Sequence, residues 1–328
     1  MEQCAGANFG GTAPRILGIC SVKNEQDIIE SFVRHSLRFV DNLMVLDNGS
    51  VDDTKAILNS LAGEFGNLTV LEDDSFGNPQ SARMTRLART GQSAYDPEYI
   101  LPLDADEFLD VTDKSELGRI FEKIPRDGYG LIPWRTFVLT PDTVRECGVN
   151  LPSSMHWRRR AEAPLYQKVV IRSGGRTNSD FVIEHGSHTI SAPSGREVPS
   201  VPLDGLNLLH FPVRSRDQLV SRIVVGWMAN LARDRNAWSS GIAWQKRDNF
   251  DRIAGGDPID DATLCEISLL YAQNPRSVDW ESDVVNEVPQ VEYVRRYSTG
   301  KAMGALQLIA RAWEQSLHVK PIGGVAAR

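Results

Sequence analysis

Between residues 15 and 125 the chain alternates short continuous apolar runs with longer amphipathic stretches. Ile16 to Val22 is apolar and β-branched, the pattern of a buried strand. From Glu25 to Val40, Ile28, Ile29, Phe32, Val33, Leu37 and Val40 recur at helical spacing and make one apolar face. Leu43 to Leu46 predicts a second strand, closed by Asp47-Asn48-Gly49. Ser50-x-x-Asp53 then reads as a capping-box variant before a helix carrying Ile57, Leu58 and Leu61. Leu68 to Leu71 predicts a third strand, and Ser81 to Ala94 a basic helix with Arg83, Arg86 and Arg89. Tyr99 to Leu103 predicts a fourth strand, broken by the acidic run Asp104-Ala105-Asp106-Glu107. Strands separated by helical patterns imply right-handed βαβ crossovers and an α/β fold with a mainly parallel central sheet flanked by helices.

The rhythm changes after Pro125. Tyr129 to Leu139, Gln167 to Arg172, Asp180 to Ile190 and Leu206 to Val213 read as strands joined by irregular loops. Ser215 to Ala272 is helical in pattern, with Ile223, Val224, Trp227, Met228 and Leu231 as one apolar stripe, and Ala302 to Gln315 reads as a last helix. The expected organisation is a flexible tail over residues 1–14, an α/β domain over 15–225 (halves 15–125 and 126–225), and a helical C-terminal extension over 226–328.

Composition narrows the setting. The 328 residues are 41% hydrophobic and 24% charged, which is ordinary globular usage with enough apolar material for a sizeable core. A net charge of −7 argues against a general affinity for nucleic acid or an anionic membrane. Cys4, Cys20, Cys147 and Cys265 are scattered without a CxxC pair, which fits a reducing compartment better than a zinc cluster or a disulfide framework. No apolar run is long enough for a transmembrane segment, and the Gly/Ala-rich start lacks the basic and apolar regions of a signal peptide. A cytoplasmic location is expected.

The acidic run is the first candidate for chemistry. In open parallel sheets ligands bind beyond the carboxyl ends of the strands, and Asp104 and Asp106 stand at such an end. Oxygen ligands of this kind suit Mg2+ or Mn2+; an acidic turn facing water has the same residues. Asp47 at the end of the second strand can accept from a base N–H or a ribose hydroxyl, or simply shape a turn. The helix from Ser81 can send Arg83 or Arg86 to a diphosphate, or hold both in solvent. A haloacid-dehalogenase phosphatase would carry Thr or Val where Phe108 stands, and a dinucleotide oxidoreductase would need glycines that Cys20 to Glu25 lack.

Together these residues resemble the family-2-like glycosyltransferases with the GT-A fold, in particular a branch with a DxDEF signature. The likeness is carried by Gly18 to Glu25, Leu46 to Thr54 and Leu103-Asp104-Ala105-Asp106-Glu107-Phe108, then by Trp134 to Phe137, Lys168 to Val170 and Leu209 to Ser215. It covers about residues 15–225. The resemblance implies a GT-A-like domain that moves a sugar from a nucleotide-diphosphate donor to an acceptor hydroxyl of a glycan or small molecule, with inversion. It implies that Asn24 and Glu25 line the nucleotide pocket, that Asp47 contacts the base, and that Asp104 and Asp106 hold Mn2+ or Mg2+ against the donor diphosphate. His210 would be a third metal ligand or a diphosphate contact, and Arg214 a phosphate partner. The chain departs from better-known members in lacking an acidic Glu-Asp pair on the acceptor side. Glu184 is the nearest candidate for the catalytic base, with His185 and His188 as substitutes. A non-catalytic nucleotide-sugar or glycan-binding protein of the same fold is the alternative.

Overall fold

A computed structural model describes residues 14–73, 80–147, 154–173, 180–233, 244–257, 259–274 and 276–318. The expected N-terminal tail, apart from Pro14, lies outside them. In chain order the elements are β1 (Ile16–Val22), α1 (Ile29–Ser36), β2 (Asn42–Asp47), α2 (Thr54–Glu64), β3 (Leu68–Glu72), α3 (Gln80–Tyr95), β4 (Tyr99–Leu103), β5 (Glu107–Asp110), α4 (Lys114–Phe121) and β6 (Tyr129–Thr136). Then come α5 (Pro141–Cys147), β7 (Trp157–Arg159), β8 (Gln167–Arg172), β9 (Val182–Ile183), β10 (Ile190–Ser191), β11 (Ser200–Pro202) and β12 (Asn207–His210). The chain continues through α6 (Arg216–Arg233), α7 (Trp244–Ala254), α8 (Asp261–Leu269), α9 (Trp280–Asp283), β13 (Val284–Asn286) and α10 (Ala305–His318).

The main sheet runs β3-β2-β1-β4-β8-β6-β12-β5, with β11 beside β6. Strands β3, β2, β1 and β4 are parallel, and β8 and β5 enter antiparallel to their neighbours. Alternate residues of β1 serve two cores: Ile16 and Cys20 face the cluster with α1 and α2, while Leu17 and Ile19 face the cluster under α3. A strand buried on both faces needs the near-continuous apolar sequence seen here. Helix α3 approaches β1 through Gly91, where a Cβ would stand 2.3 Å from Leu17 Cδ2 and 3.0 Å from Met44 Sδ. Leu17 and Met44 are both buried, so any shift must be taken up by packed neighbours. Gly91→Ala is therefore expected to cost about 1–3 kcal/mol, read as a lower denaturant midpoint at unchanged m-value.

Several sequence expectations change. Helix α1 is shorter than the apolar face from Glu25 to Val40, with hydrogen-bonded turns completing it at each end. Ser50 does not cap α2: its hydroxyl is bonded to Asp47 Oδ1 at 2.5 Å, and Asp53 stands at the helix start without a side-chain cap. The strand expected over Asp180 to Ile190 is a small hairpin of β9 and β10, turned by Gly186 at φ +75°. The strands expected at Tyr129 to Leu139 and Leu206 to Val213 end earlier, at Thr136 and His210. Strand β5 was hidden by the acidic run, because only its pairing with β12 makes it a strand.

Hydrogen bonds tie the far end of the chain to its first helix and to α6. The segment before α10 lies across α1, where Tyr293 Oη donates to Asp27 O at 2.6 Å and Tyr297 N donates to Glu30 Oε2 at 2.8 Å. Gln26 Nε2 donates to Lys301 O at 2.7 Å, and Ser221 Oγ of α6 to Met303 O at 2.6 Å. The boundary expected at 225/226 falls inside α6. Among the described residues no helix is long and apolar enough to cross a membrane.

His35 on α1 is a buried titratable group in this core, 4% exposed, with Nε2 donating to Leu109 O at 2.9 Å and edge contacts to Phe39 and Phe108. Burial pushes its pKa down to about 4. A depressed folded pKa means that below pH 6.5 the unfolded chain binds a proton that the folded chain refuses. His35 should thus cost stability as pH falls from 6.5 towards 4, by about 3 kcal/mol across that window. The check is the difference in unfolding free energy between wild type and His35→Gln against pH, which should slope in this window and be flat above pH 7.

Candidate functional site

From β1 the chain winds outward to β2 and β3 on one side and then returns to place β4 on the other. The loops leaving β1 and β4 therefore diverge, and a crevice opens at the carboxyl ends of the two strands. Cys20 pairs with Leu103, the last pair between β1 and β4, so Ser21 and Asp104 follow it side by side. A pocket of ≈ 270 Å³ lies there. Lys23, Asn24 and Glu25 line one side, Asp104 to Asp106 another, and α6 with the 302–308 segment the wall opposite.

The three carboxylates of the acidic run have different fates. Glu107 turns into the protein and is fully buried, accepting from Asp104 N at 2.9 Å and from Trp134 Nε1 at 2.7 Å. Lys168 on β8 is equally buried and reaches Asp104 Oδ2 at 2.6 Å and Glu107 Oε2 at 3.4 Å. Burial pushes the Glu107 carboxyl above its ordinary value, with Lys168 pulling the other way. Glu107 is thus the brace of the loop. Asp104 keeps a part-exposed carboxylate in the pocket, while Asp106 lines it with only 5% of its side chain accessible.

Asp106 is the hub of the opposite half. The antiparallel register sets His210 against Glu107, and Phe211 N donates to Asp106 O at 2.9 Å. His210 Nε2 then stands 3.9 Å from Asp106 Oδ2. The imidazole stacks on Trp134 at 4.0 Å between centroids, its Nδ1 has no hydrogen-bond partner among the described residues, and burial holds its pKa well below the ordinary value. Arg222 of α6 donates to Asp106 Oδ2 at 3.2 Å. Arg214, expected at a phosphate, is buried instead: it donates to Asp27 Oδ2 at 2.7 Å, Glu25 Oε2 at 2.6 Å and Phe211 O at 3.1 Å. It supports the floor, where burial lifts Glu25 to about 7 against the pull of Arg214.

The remaining expected residues divide. Asn24 lines the pocket at φ +58°, a left-handed conformation that asparagine tolerates better than most residues. Its backbone N–H donates to Ser50 Oγ at 2.9 Å, and its Oδ1 accepts from Val51 N at 2.9 Å. Asn24 therefore clamps the β2–α2 turn to the β1 loop. Asp47 sits beside Val22 and is buried, its Oδ1 taken by Ser50; it does not line the pocket. On α3, Gln80 reaches the pocket but Arg83 and Arg86 do not; Arg86 pairs with Asp73, and Arg83 is half-buried. Glu184 accepts from Ser191 Oγ within the β9–β10 hairpin, outside the pocket lining, so the acceptor-side base expected there is not at the pocket.

Sequence reasoning missed the α6 wall. Gln218, Ser221, Arg222, Val225 and Gly226 all line the pocket, and their i, i+3, i+4, i+7, i+8 spacing puts them on one helix face. That periodicity was the available signal, since it lies opposite Leu219, Ile223 and Trp227, which are buried. Tyr271, whose hydroxyl accepts from Arg222 NH2 at 2.8 Å, was also missed.

A divalent cation fits the chemistry of the donors. Two carboxylates stand one residue apart, and a neutral imidazole nitrogen lies near enough to Asp106 Oδ2 to share an ion with ligand distances of about 2 Å each. The described residues do not gather Asp104, Asp106 and His210 into a ready three-ligand cluster. Lys168 and Arg222 occupy the two aspartates instead.

Comparison with known proteins agrees with the architecture. Residues 19–177 match the model of glycosyl transferase family 2. A search of curated protein sequences returned no match. Among solved structures, S. aureus TarS 1-349 in complex with UDP is 12% identical, over 84% of this chain and 97% of that one, at a TM-score of 0.39. The mannosyltransferase PcManGT from Pyrobaculum calidifontis, in complex with GDP-Man and Mn2+, is 14% identical over 94% and 89%, at 0.35. Glucosyl-3-phosphoglycerate synthase from Mycobacterium tuberculosis is 22% identical, but the match covers only 29% of this chain and 34% of the synthase, at 0.23. Scores this low add nothing to the topology, which speaks for itself. With residues 19–177 matching that family and the sheet built as the motifs implied, the chain is similar to the glycosyl transferases of family 2.

Proposed function

We propose that this chain transfers a sugar from a nucleotide-diphosphate donor to an acceptor hydroxyl, using Mg2+ or Mn2+ held by Asp104 and Asp106, with inversion at the anomeric carbon. The observation that carries the reading is the convergence of the β1 loop and the Asp104–Asp106 loop in one pocket at the switch point of the sheet. When bound, the cation would supply Lewis-acid neutralisation of the leaving diphosphate. The protein holds Asp104 through Lys168 and Glu107 and holds Asp106 between α6 and β12, so neither carboxylate has to reorganise during the reaction. Ser21 and Lys23 to Glu25 form the nucleotide side, and residues 302, 303 and 308 line a further part of the pocket, where an acceptor would enter. A cytoplasmic setting suits the free, buried thiols of Cys20 and Cys265.

Thermal shift with nucleoside diphosphates and their sugars, with and without Mn2+, tests the donor side. A ligand at a hundred times its Kd adds about 2.7 kcal/mol of stability. The melting temperature should rise for at least one diphosphate and rise further with Mn2+. No shift with any of them would count against a nucleotide-sugar site. Retention of the donor's anomeric configuration in the product would exclude inversion.

A further inference from the structure

We propose that Arg222 is a diphosphate-binding residue, bonded to Asp106 and transferred to the donor's phosphate oxygens when the site loads. The inference rests on the nucleotide-diphosphate reading above and adds a residue that neither the motifs nor the family match assigns. The first observation is position: Arg222 lines the pocket from α6, across from Lys23 and Glu25, and 34% of its side chain is accessible. The other two cations that touch the acidic loop are sealed in, Lys168 at 0% and Arg214 at 1%.

The second observation is unused capacity. A guanidinium has five N–H groups. Arg222 NH1 spends two, on Asp106 Oδ2 at 3.2 Å and Pro212 O at 3.0 Å, and NH2 spends one on Tyr271 Oη at 2.8 Å. The Nε–H and the second NH2 hydrogen make no hydrogen bond among the described residues. Arg214 by contrast spends four, three of them on buried partners and one on the part-buried Glu25. The third observation is the mount. Arg222 lies over the Tyr271 ring at 5.1 Å, and α6 is anchored below it by Leu219, Ile223 and Trp227. Only the head of the side chain has to turn to exchange one anionic oxygen for another.

The exchange has a logic in charge. Asp106 is expected to hold a cation, and until one arrives Arg222 neutralises a carboxylate that is nearly buried. A divalent ion on Asp106 displaces the guanidinium, which then faces the diphosphate that the ion brings, a partner suited to bidentate hydrogen bonding. Arg222 therefore competes with the metal and cooperates with the diphosphate, so its removal should act with opposite sign on the two ligands.

Calorimetric titration of wild type, Arg222→Gln and Arg222→Lys is the test, using UDP against UMP and GDP against GMP with Mn2+ present, and Mn2+ alone. In Arg222→Gln the diphosphate that binds wild type should weaken about tenfold or more, with the matching monophosphate changed little. Mn2+ should bind no more weakly than to wild type. Arg222→Lys should fall between, and it carries the test if the glutamine variant does not fold. Unchanged diphosphate affinity would overturn the proposal. So would parallel weakening of diphosphate, monophosphate and Mn2+, which marks a structural role. A wild type that binds none of the four nucleotides would instead overturn the donor reading, and the role of Arg222 with it.

Discussion

Replacing Asp106 by alanine is expected to lower glycosyl transfer about 10²–10³-fold, the size of effect seen when one preorganised charge-stabilising group is removed from an active site. The location of this residue explains the size. Its carboxylate is the meeting point of Arg222, His210 and Arg214, three side chains delivered by the long second half of the chain to a loop in the first half. Removing it deletes the proposed cation ligand and also frees Arg222 from Asp106. The fold should survive, because the backbone bond from Phe211 N to Asp106 O does not need the side chain. Asp106→Asn keeps the shape and removes the charge, so it should be nearly as impaired as alanine. Steady-state transfer with Mn2+ present, beside a melting curve for each variant, checks this. Turnover within a few-fold of wild type in a folded Asp106→Ala would end the metal assignment.

The largest effect on stability is expected at Lys168. Burial alone pulls a lysine pKa down, yet here the charges of Asp104 and Glu107 and the hydrogen bond to Asp104 more than reverse it. Lys168→Met keeps the volume but leaves Glu107 in the interior without its counter-charge. Breaking one side of a buried pair in this way costs about 3–5 kcal/mol. Adding Glu107→Gln should return only part of the loss, because its amide cannot accept from both Asp104 N and Trp134 Nε1 as the carboxylate does. Denaturant unfolding of the two singles and the double completes a cycle, and a coupling energy near zero would show that the pair is not the brace described here. Because the brace also holds Asp104 in place, Lys168→Met should lose transfer even at temperatures where it remains folded.

The two predictions sit on either side of the line between what was legible in the chain and what was not. The first four strands and the helices between them are written in local periodicity: β1 to β4 appear within a residue or two of their apolar runs, and α3 spans the basic helical stretch. Asp104 and Asp106 could be placed at the end of β4 for the same reason. Roles that depended on where a polar side chain points were read less well. Arg214 looked like a phosphate ligand and is a buried support, and Glu184 looked like a base and is tied to Ser191 in a hairpin. Arg222 was not singled out in the sequence at all.

By itself, then, the sequence determined the alternation of elements, the parallel half-sheet and the acidic loop at its edge, because burial on two faces or one face leaves a short-range signature in which positions can be polar. The tertiary structure alone decided which charges meet. Arg222 lies 116 residues from Asp106, Lys168 lies 64 from Asp104, and Gln26 lies 275 from Lys301. Helical periodicity puts the α6 residues on one polar face, but it does not say whether that face meets water or a pocket. That difference arises only when β12 pairs with β5 and α6 closes over the loop, which makes one of three adjacent carboxylates a brace and leaves the other two to face the pocket.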